Sequence, residues 1–246
     1  MLGCIWFGGW PFHLLIVLVG FGLAFEWTQL WRGNLSGTLA AMMAGTIVAA
    51  VLLAALSDYR MALGVVVIGS AALAVLCRGR PWIAAGIPYL ALGAMAVLWI
   101  RDDIEVGRSN LVFMLLLIWA SDIGAYLAGR LIGGAKMAPL ISPGKTWSGA
   151  AGGLLAAVLV AWTTALLLHP PVSLGRVIIL ALVLGIVAQA GDLLESWMKR
   201  RFGVKDSGWL IPGHGGLLDR VDAVLTVAPV AAALALFAGR GVVLWQ

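Results

Sequence analysis

The chain is 246 residues long and 62% hydrophobic, with only 16 Lys and Arg, 11 Asp and Glu, and a formal net charge of +5. Charged residues make up 11% of it, where a soluble domain carries about 25%, so they are too few to cover a water-exposed surface. That balance, with a mean hydropathy of +1.03, excludes a soluble enzyme, a disordered tail and a disulfide scaffold, and leaves an all-α, polytopic integral membrane protein.

A membrane helix needs about 20 mostly apolar residues. Such stretches fall at 10–30, 36–57, 61–77, 82–100, 109–132, 147–168, 174–198 and 219–239. Eight transmembrane helices with short loops fill the chain, so 1–246 is expected to be a single transmembrane domain. Residues 1–9 have no basic start and no small-residue cleavage site, so no removable signal peptide is expected. Trp31, Trp82, Trp99 and Trp147 stand near span ends, where an amphipathic ring suits the membrane interface. Cys4 and Cys77 lie far apart in apolar stretches and are expected to be reduced, buried small hydrophobes.

Orientation follows from the cations in the loops. One side of an eight-span chain receives Arg32, Arg78, Arg80, Arg130, Lys136, Lys145, Lys199, Arg200, Arg201, Lys205 and Arg220; the other receives Arg60, Arg101, Arg108, Arg176 and Arg240. The positive-inside rule makes the first side cytoplasmic and places both termini outside. The positive balance then faces anionic lipid headgroups, and no nucleic-acid partner is expected. The two longest polar connections, 133–146 and 199–218, both fall on the cytoplasmic side. Residues 1–108 are generic spans by this reading, and 109–240 hold the candidate chemistry.

A carboxylate inside a bilayer costs about 2.5–3.5 kcal/mol even on the mild insertion scale, and marks a functional site by default. Asp192, Glu195, Ser196 and Lys199 follow one another at i, i+3, i+4 and i+7 on the seventh span, which puts them on one helical face. Asp219 and Asp222, three apart, open the eighth span, where a helix N-terminus favours negative charge. Asp122, Ala125, Tyr126 and Gly129 repeat the one-face spacing on the fifth. Converging carboxylates repel one another unless protons or cations neutralise them. An all-oxygen set suits Mg²⁺, which keeps waters and shares itself with substrate phosphates. The competing reading is that these acids pair with nearby bases, as Glu195 can with Lys199, and only hold helices together. Glu26 stands alone beside Trp27 on the first span and is expected to be a helix-packing or interface residue.

The loops carry the complementary groups. Lys199-Arg200-Arg201-Phe-Gly-Val-Lys205-Asp206 is basic and then turn-like. Pro212-Gly213-His214-Gly215-Gly216 follows, and its free backbone N–H groups suit close approach to a phosphate. His214 is expected to bind substrate. In the other loop, Ser142-Pro143-Gly144-Lys145-Thr146 is not a P-loop, because Pro139 stands where that pattern needs glycine and no strand precedes it. Its lysine and hydroxyls suit phosphate, while Ser142 and Thr146 suit helix capping equally well.

Ser196, Lys199-Arg200, Lys205-Asp206, Pro212, His214-Gly215-Gly216, Asp219-Arg220 and Asp222 stand at the spacing of a signature found in CDP-diacylglycerol synthases, also called phosphatidate cytidylyltransferases. The segments Gly191–Ser196, Ser121–Tyr126 and Ser142–Thr146 resemble that family too, so the likeness runs over about 119–240. The resemblance implies Mg²⁺-dependent transfer of a cytidylyl group from CTP to phosphatidate, giving CDP-diacylglycerol and pyrophosphate. By this analogy Asp192 and Asp219 are metal ligands, and Asp192, Asp219, Asp222 and Lys199 form the catalytic group. Asp122, Ser142, Lys145, Thr146, Glu195, Ser196, Arg200, Lys205, Asp206, His214, Gly215, Gly216 and Arg220 are the substrate-binding candidates. The implied partners are CTP, phosphatidate and membrane lipids, with a homodimer left open. The expected location is a bacterial inner (plasma) membrane with the site facing the cytoplasm. Two rivals are a CTP-dependent lipid kinase and a transporter. A transporter's acids belong near mid-membrane on broken helices, whereas most of these lie near span ends beside basic loops.

Overall fold

The computed structural model describes residues 2–31, 36–77, 81–168, 172–208, 210, 215–238 and 243–245. The eight expected spans are present among them as helices long and apolar enough to cross a membrane. They are α2 (Gly9–Leu30), α3 (Gly37–Ala55), α4 (Tyr59–Leu76), α5 (Pro81–Arg101), α6 (Gly107–Leu131), α7 (Trp147–Leu168), α8 (Leu174–Arg201) and α9 (Leu218–Ala238). His214, Pro212, Arg32, Arg78, Arg80 and Arg240 lie outside the described residues.

Two elements were not legible as periodic patterns. A short helix, α1 (Leu2–Phe7), precedes α2. Gly8 and Gly9 separate the two helices with φ of 68° and 62°, a conformation open to glycine and costly for other residues. The Arg101 guanidinium donates to the carbonyls of Ile5 at 2.8 Å and Trp6 at 3.0 Å, satisfying backbone groups that a helix end leaves free. The second element is an antiparallel hairpin of β1 (Lys136–Ala138) and β2 (Ser142–Thr146). Its residues are mostly polar and show no two-residue alternation, so the connection 133–146 looked like a plain loop.

The bundle is built around α5, the most buried of the spans, which packs against α9, α3, α4 and α2. On the outside, Phe21, Leu52, Val67, Ile68, Leu159, Ile186 and Phe237 are exposed, an apolar surface that suits lipid tails. At the end of the bundle away from the candidate site, His13 Nε2 lies 2.7 Å from Asp102 Oδ1, and the Tyr59 hydroxyl donates to Asp102 Oδ2 at 2.9 Å. That trio ties α2, α4 and the end of α5 together.

The α6–α7 pair is the most intimate contact in the bundle. Lipid tails are as apolar as leucine, so membrane helices associate through close packing of small residues. A Cβ on Gly152 would fall 2.2 Å from the Ala128 Cβ, and one on Gly153 would fall 2.7 Å from the Ser121 carbonyl oxygen. The Gly152→Val variant is expected to force the helices apart and destabilise the protein by at least about 1–3 kcal/mol. Thermal unfolding in detergent measures this, and an unchanged midpoint would show that the pair has room to spare. Separation would also shift Asp122 on α6 relative to the hairpin that leads into α7.

Candidate active site

Three helices and the hairpin bring polar groups together at one end of the bundle. Lys199 Nζ lies 2.7 Å from Glu195 Oε2 and 2.8 Å from Asp219 Oδ1. One ammonium thus bridges α8 and α9. Glu195 is buried, and its other oxygen, Oε1, has no hydrogen-bond donor among the described residues. A buried charge needs a counter-charge or hydrogen bonds, and Lys199 is the counter-charge that the two acids share. Asp219 is held further by backbone donors: Ser207 N at 3.1 Å and Gly216 N at 3.0 Å, both to Oδ2.

Asp192 has a different partner. Lys145, projecting from β2, places its Nζ 2.6 Å from Asp192 Oδ2, and Ser196 Oγ donates to Asp192 Oδ1 at 3.5 Å. The hairpin therefore serves as an arm that lays a lysine on α8. Asp122 on α6 and Asp222 on α9 are both close enough to Asp192 for their charges to interact. α6 thus contributes Asp122, α8 contributes Asp192 and Glu195, and α9 contributes Asp219 and Asp222 to a common region, with Lys145 and Lys199 as the cations beside it. The acids expected to converge are brought together at one end of the bundle.

A cavity of about 470 Å³ opens among α6, α7, α8 and the hairpin. Asp122, Tyr126, Arg130, Lys145, Thr146, Gln189 and Asp192 line it, together with apolar Ala125, Met137 and Ala150. Arg130 Nη1 donates to the Tyr126 hydroxyl at 2.6 Å. Gln189 Nε2 donates to the Ala150 carbonyl at 3.1 Å, which fixes the amide at the cavity wall.

The remaining candidates divide. Thr146 lines the cavity, but its Oγ1 also accepts from Gly149 N at 3.0 Å, so it caps α7 as one of its two readings required. Ser142 pairs opposite Ala138 at the far end of the hairpin and does not line the cavity. Arg200 is exposed, and its Nε donates to the Ile141 carbonyl at 3.3 Å, tying the hairpin to the end of α8. Lys205, Asp206 and Arg220 are exposed. Gly215 has φ of 84° and Gly216 is buried. Of the run expected to offer free N–H groups to a phosphate, Pro212, Gly213 and His214 lie outside the described residues, and the Gly216 donor is already committed. Gly216 N donates to Asp219, while Leu217 N and Leu218 N, each at 2.8 Å, donate to Glu26.

Gln189 and Tyr89 are the groups near the site that sequence reasoning missed, while Glu26, expected to be a helix-packing or interface residue, reaches the start of α9. Gln189 stands three residues before Asp192, so the one-face spacing would have found it. Tyr89 on α5 has a buried hydroxyl without a hydrogen-bond partner among the described residues, and it lies near Asp222 and Glu195. It sits in an apolar span with no polar neighbour at helical spacing, so nothing in the sequence marks it.

Among the described residues, no three His, Cys, Asp or Glu side chains converge tightly enough to cage a metal. Mg²⁺ rarely needs such a cage, being held through one or two carboxylates plus waters and substrate phosphates. Asp192, Asp219 and the donor-free Oε1 of Glu195 are hard oxygen groups that fit that mode.

Known proteins are similar to this chain over most of its length. A sequence model described as the cytidylyltransferase family matches residues 1–238. A Brucella suis protein named phosphatidate cytidylyltransferase is 43% identical over 226 residues, 91% of this chain and 83% of its own length. A Brucella abortus protein of the same name matches at the same identity and coverage. One from Staphylococcus saprophyticus, also so named, is 40% identical over 144 residues, 58% of this chain and 54% of its own. The match reaches from the first helix to the end of α9, so the N-terminal spans share in it, and the chain belongs to the cytidylyltransferase family.

Proposed function

We propose that the protein is a phosphatidate cytidylyltransferase, joining the cytidylyl group of CTP to phosphatidate and releasing pyrophosphate. The observation that carries this reading is the meeting of five carboxylates and two lysines from α6, α8, α9 and the hairpin beside a cavity of mixed polarity. A polyphosphate substrate needs cations at its oxygens, and a lipid substrate needs an apolar wall next to them.

The phosphate monoester of phosphatidate is already nucleophilic near neutral pH, so no strong general base is required. One of its oxygens attacks the α-phosphorus of CTP in line. A new P–O bond forms, the bond from the α-phosphorus to the bridging oxygen breaks, and pyrophosphate leaves with the electron pair. The protein's work is positioning and charge neutralisation. Lys145 and Lys199 offset charge developing on the transferring and leaving oxygens. Asp122 and Asp222 add negative charge beside those lysines, and Ser196 and Gln189 order the wall beside Asp192. Arg200, Lys205, Arg220 and His214 are assigned to the outer phosphates on the basis of family resemblance. Asp192 and Asp219 would hold Mg²⁺, which supplies Lewis-acid stabilisation of phosphate charge when bound. The cation count of the loops supports a cytoplasmic site in a bacterial plasma membrane.

The deciding experiment uses purified protein, phosphatidate and CTP labelled at the α-phosphate. Label is expected in the lipid product with equimolar pyrophosphate, and EDTA is expected to stop the reaction. Label left in CDP would identify a γ-phosphoryl transfer and overturn the reading. Undiminished rates in EDTA would remove Mg²⁺ from it.

A further inference from the structure

Glu26 belongs to an apolar helix, is 1% exposed, and lies far in sequence from every other acid of the site. A carboxylate there needs compensation, yet it has no ion pair among the described residues. Its partners come from a single segment. Leu217 N donates to Oε1 at 2.8 Å, Leu218 N donates to Oε2 at 2.8 Å, and Ser207 Oγ donates to Oε2 at 3.3 Å. The two leucine N–H groups stand at the start of α9, where a helix leaves donors free and favours negative charge. Glu26 therefore caps α9 from a different helix.

The same segment holds Asp219. Ser207 gives its hydroxyl to Glu26 and its N–H to Asp219. Along Gly216-Leu217-Leu218, the first N–H goes to Asp219 and the next two go to Glu26. The two carboxylates share one backbone clasp, so moving one displaces the donors of the other. The clasp is closed too tightly for side chains at its glycines. A Cβ on Gly208 would fall 2.7 Å from Glu26 Oε1, and one on Gly216 would fall 2.0 Å from Ser207 Oγ and 2.9 Å from Glu26 Oε2.

We infer that Glu26 is a positioning residue of the active site, fixing Ser207 and residues 216–218 so that Asp219 presents its carboxylate to Lys199 and to the substrate phosphates. The inference rests on the proposed function for its catalytic consequence; the clasp itself is tested independently of it.

The full-length Glu26→Gln variant, purified in detergent, is compared with wild type by two measurements. An amide offers one acceptor oxygen and turns an NH₂ toward a backbone N–H, so it cannot complete the clasp. Backbone hydrogen exchange over 207–220 is expected to accelerate while α3 and α4 keep their protection. The kcat for cytidylyl transfer, at a temperature where the variant remains folded, is expected to fall about 10–100-fold, as for groups that orient a metal or phosphate ligand. Glu26→Asp is expected to recover part of both. A kcat within threefold of wild type despite faster exchange would reduce Glu26 to a structural role and overturn the inference, as would unchanged exchange. If Glu26→Gln does not fold, Ser207→Ala removes one hydroxyl donor and keeps the N–H to Asp219. A severalfold loss of kcat is expected there, and wild-type kcat would count against the clasp. Absence of cytidylyl transfer in the wild-type protein would defeat the proposed function, while the exchange pattern would still decide whether the clasp exists.

Discussion

Asp219→Asn and Asp192→Asn are each expected to lower kcat at least about a thousandfold, close to 4 kcal/mol of transition-state stabilisation, while the protein stays folded in detergent. Each carboxylate sits against its own lysine, Asp219 at 2.8 Å from Lys199 Nζ and Asp192 at 2.6 Å from Lys145 Nζ. An amide keeps one oxygen and the shape of the side chain, so backbone donors such as Gly216 N retain an acceptor. What it removes is the charge that would hold Mg²⁺ and orient the lysine. Steady-state rates across a Mg²⁺ titration provide the check. Near-normal turnover at saturating Mg²⁺ in either variant would remove that residue from the metal assignment.

Lys199→Met is expected to damage both stability and turnover, which separates it from the aspartate variants. The ammonium is the shared counter-ion of Glu195 and Asp219. Without it, two acids face each other where two unit charges at 4 Å interact by about 4 kcal/mol at an effective dielectric of 20. Breaking a buried pair by deleting one partner costs about 3–5 kcal/mol, and melting in detergent should show a loss of that order. The double variant Lys199→Met with Glu195→Gln removes one of the stranded charges, so most of the stability should return. Turnover should stay low, because the cation at the phosphates is still missing. Full recovery of activity in the double variant would make Lys199 merely a helix-linking residue.

These two expectations draw on features that were visible to different degrees. The pairing of Glu195 with Lys199 follows from i,i+4 spacing alone, and the structure contains it. That Lys199 also reaches Asp219 depends on how α8 and α9 pack, which no local pattern specifies. In the same way Lys145 was recognisable as a phosphate-type lysine, but its seat on Asp192 required a hairpin that has no periodic signature. Thr146 shows both readings true at once, capping α7 while lining the cavity. Of the glycine-rich run 212–216, expected to offer free N–H groups, the structure commits the Gly216 donor to Asp219, and 212–214 lie outside the described residues.

The least legible contact in the sequence is that of Glu26, read there as a helix-packing or interface residue. Glu26 looked isolated because isolation in sequence was the only distance available. Its donors, Leu217 N and Leu218 N, are separated from it by 191 and 192 positions. Backbone N–H groups exist at every residue but proline, so composition cannot flag them. By itself the sequence determined the membrane class, the eight spans, the acidic faces and the family, because hydrophobic length and helical spacing are local properties. Tertiary structure alone decided which lysine neutralises which carboxylate, where the cavity opens, and that a buried glutamate on α2 shares its donors with Asp219. Those are outcomes of helix packing and loop closure, which act between residues that no sequence window holds together.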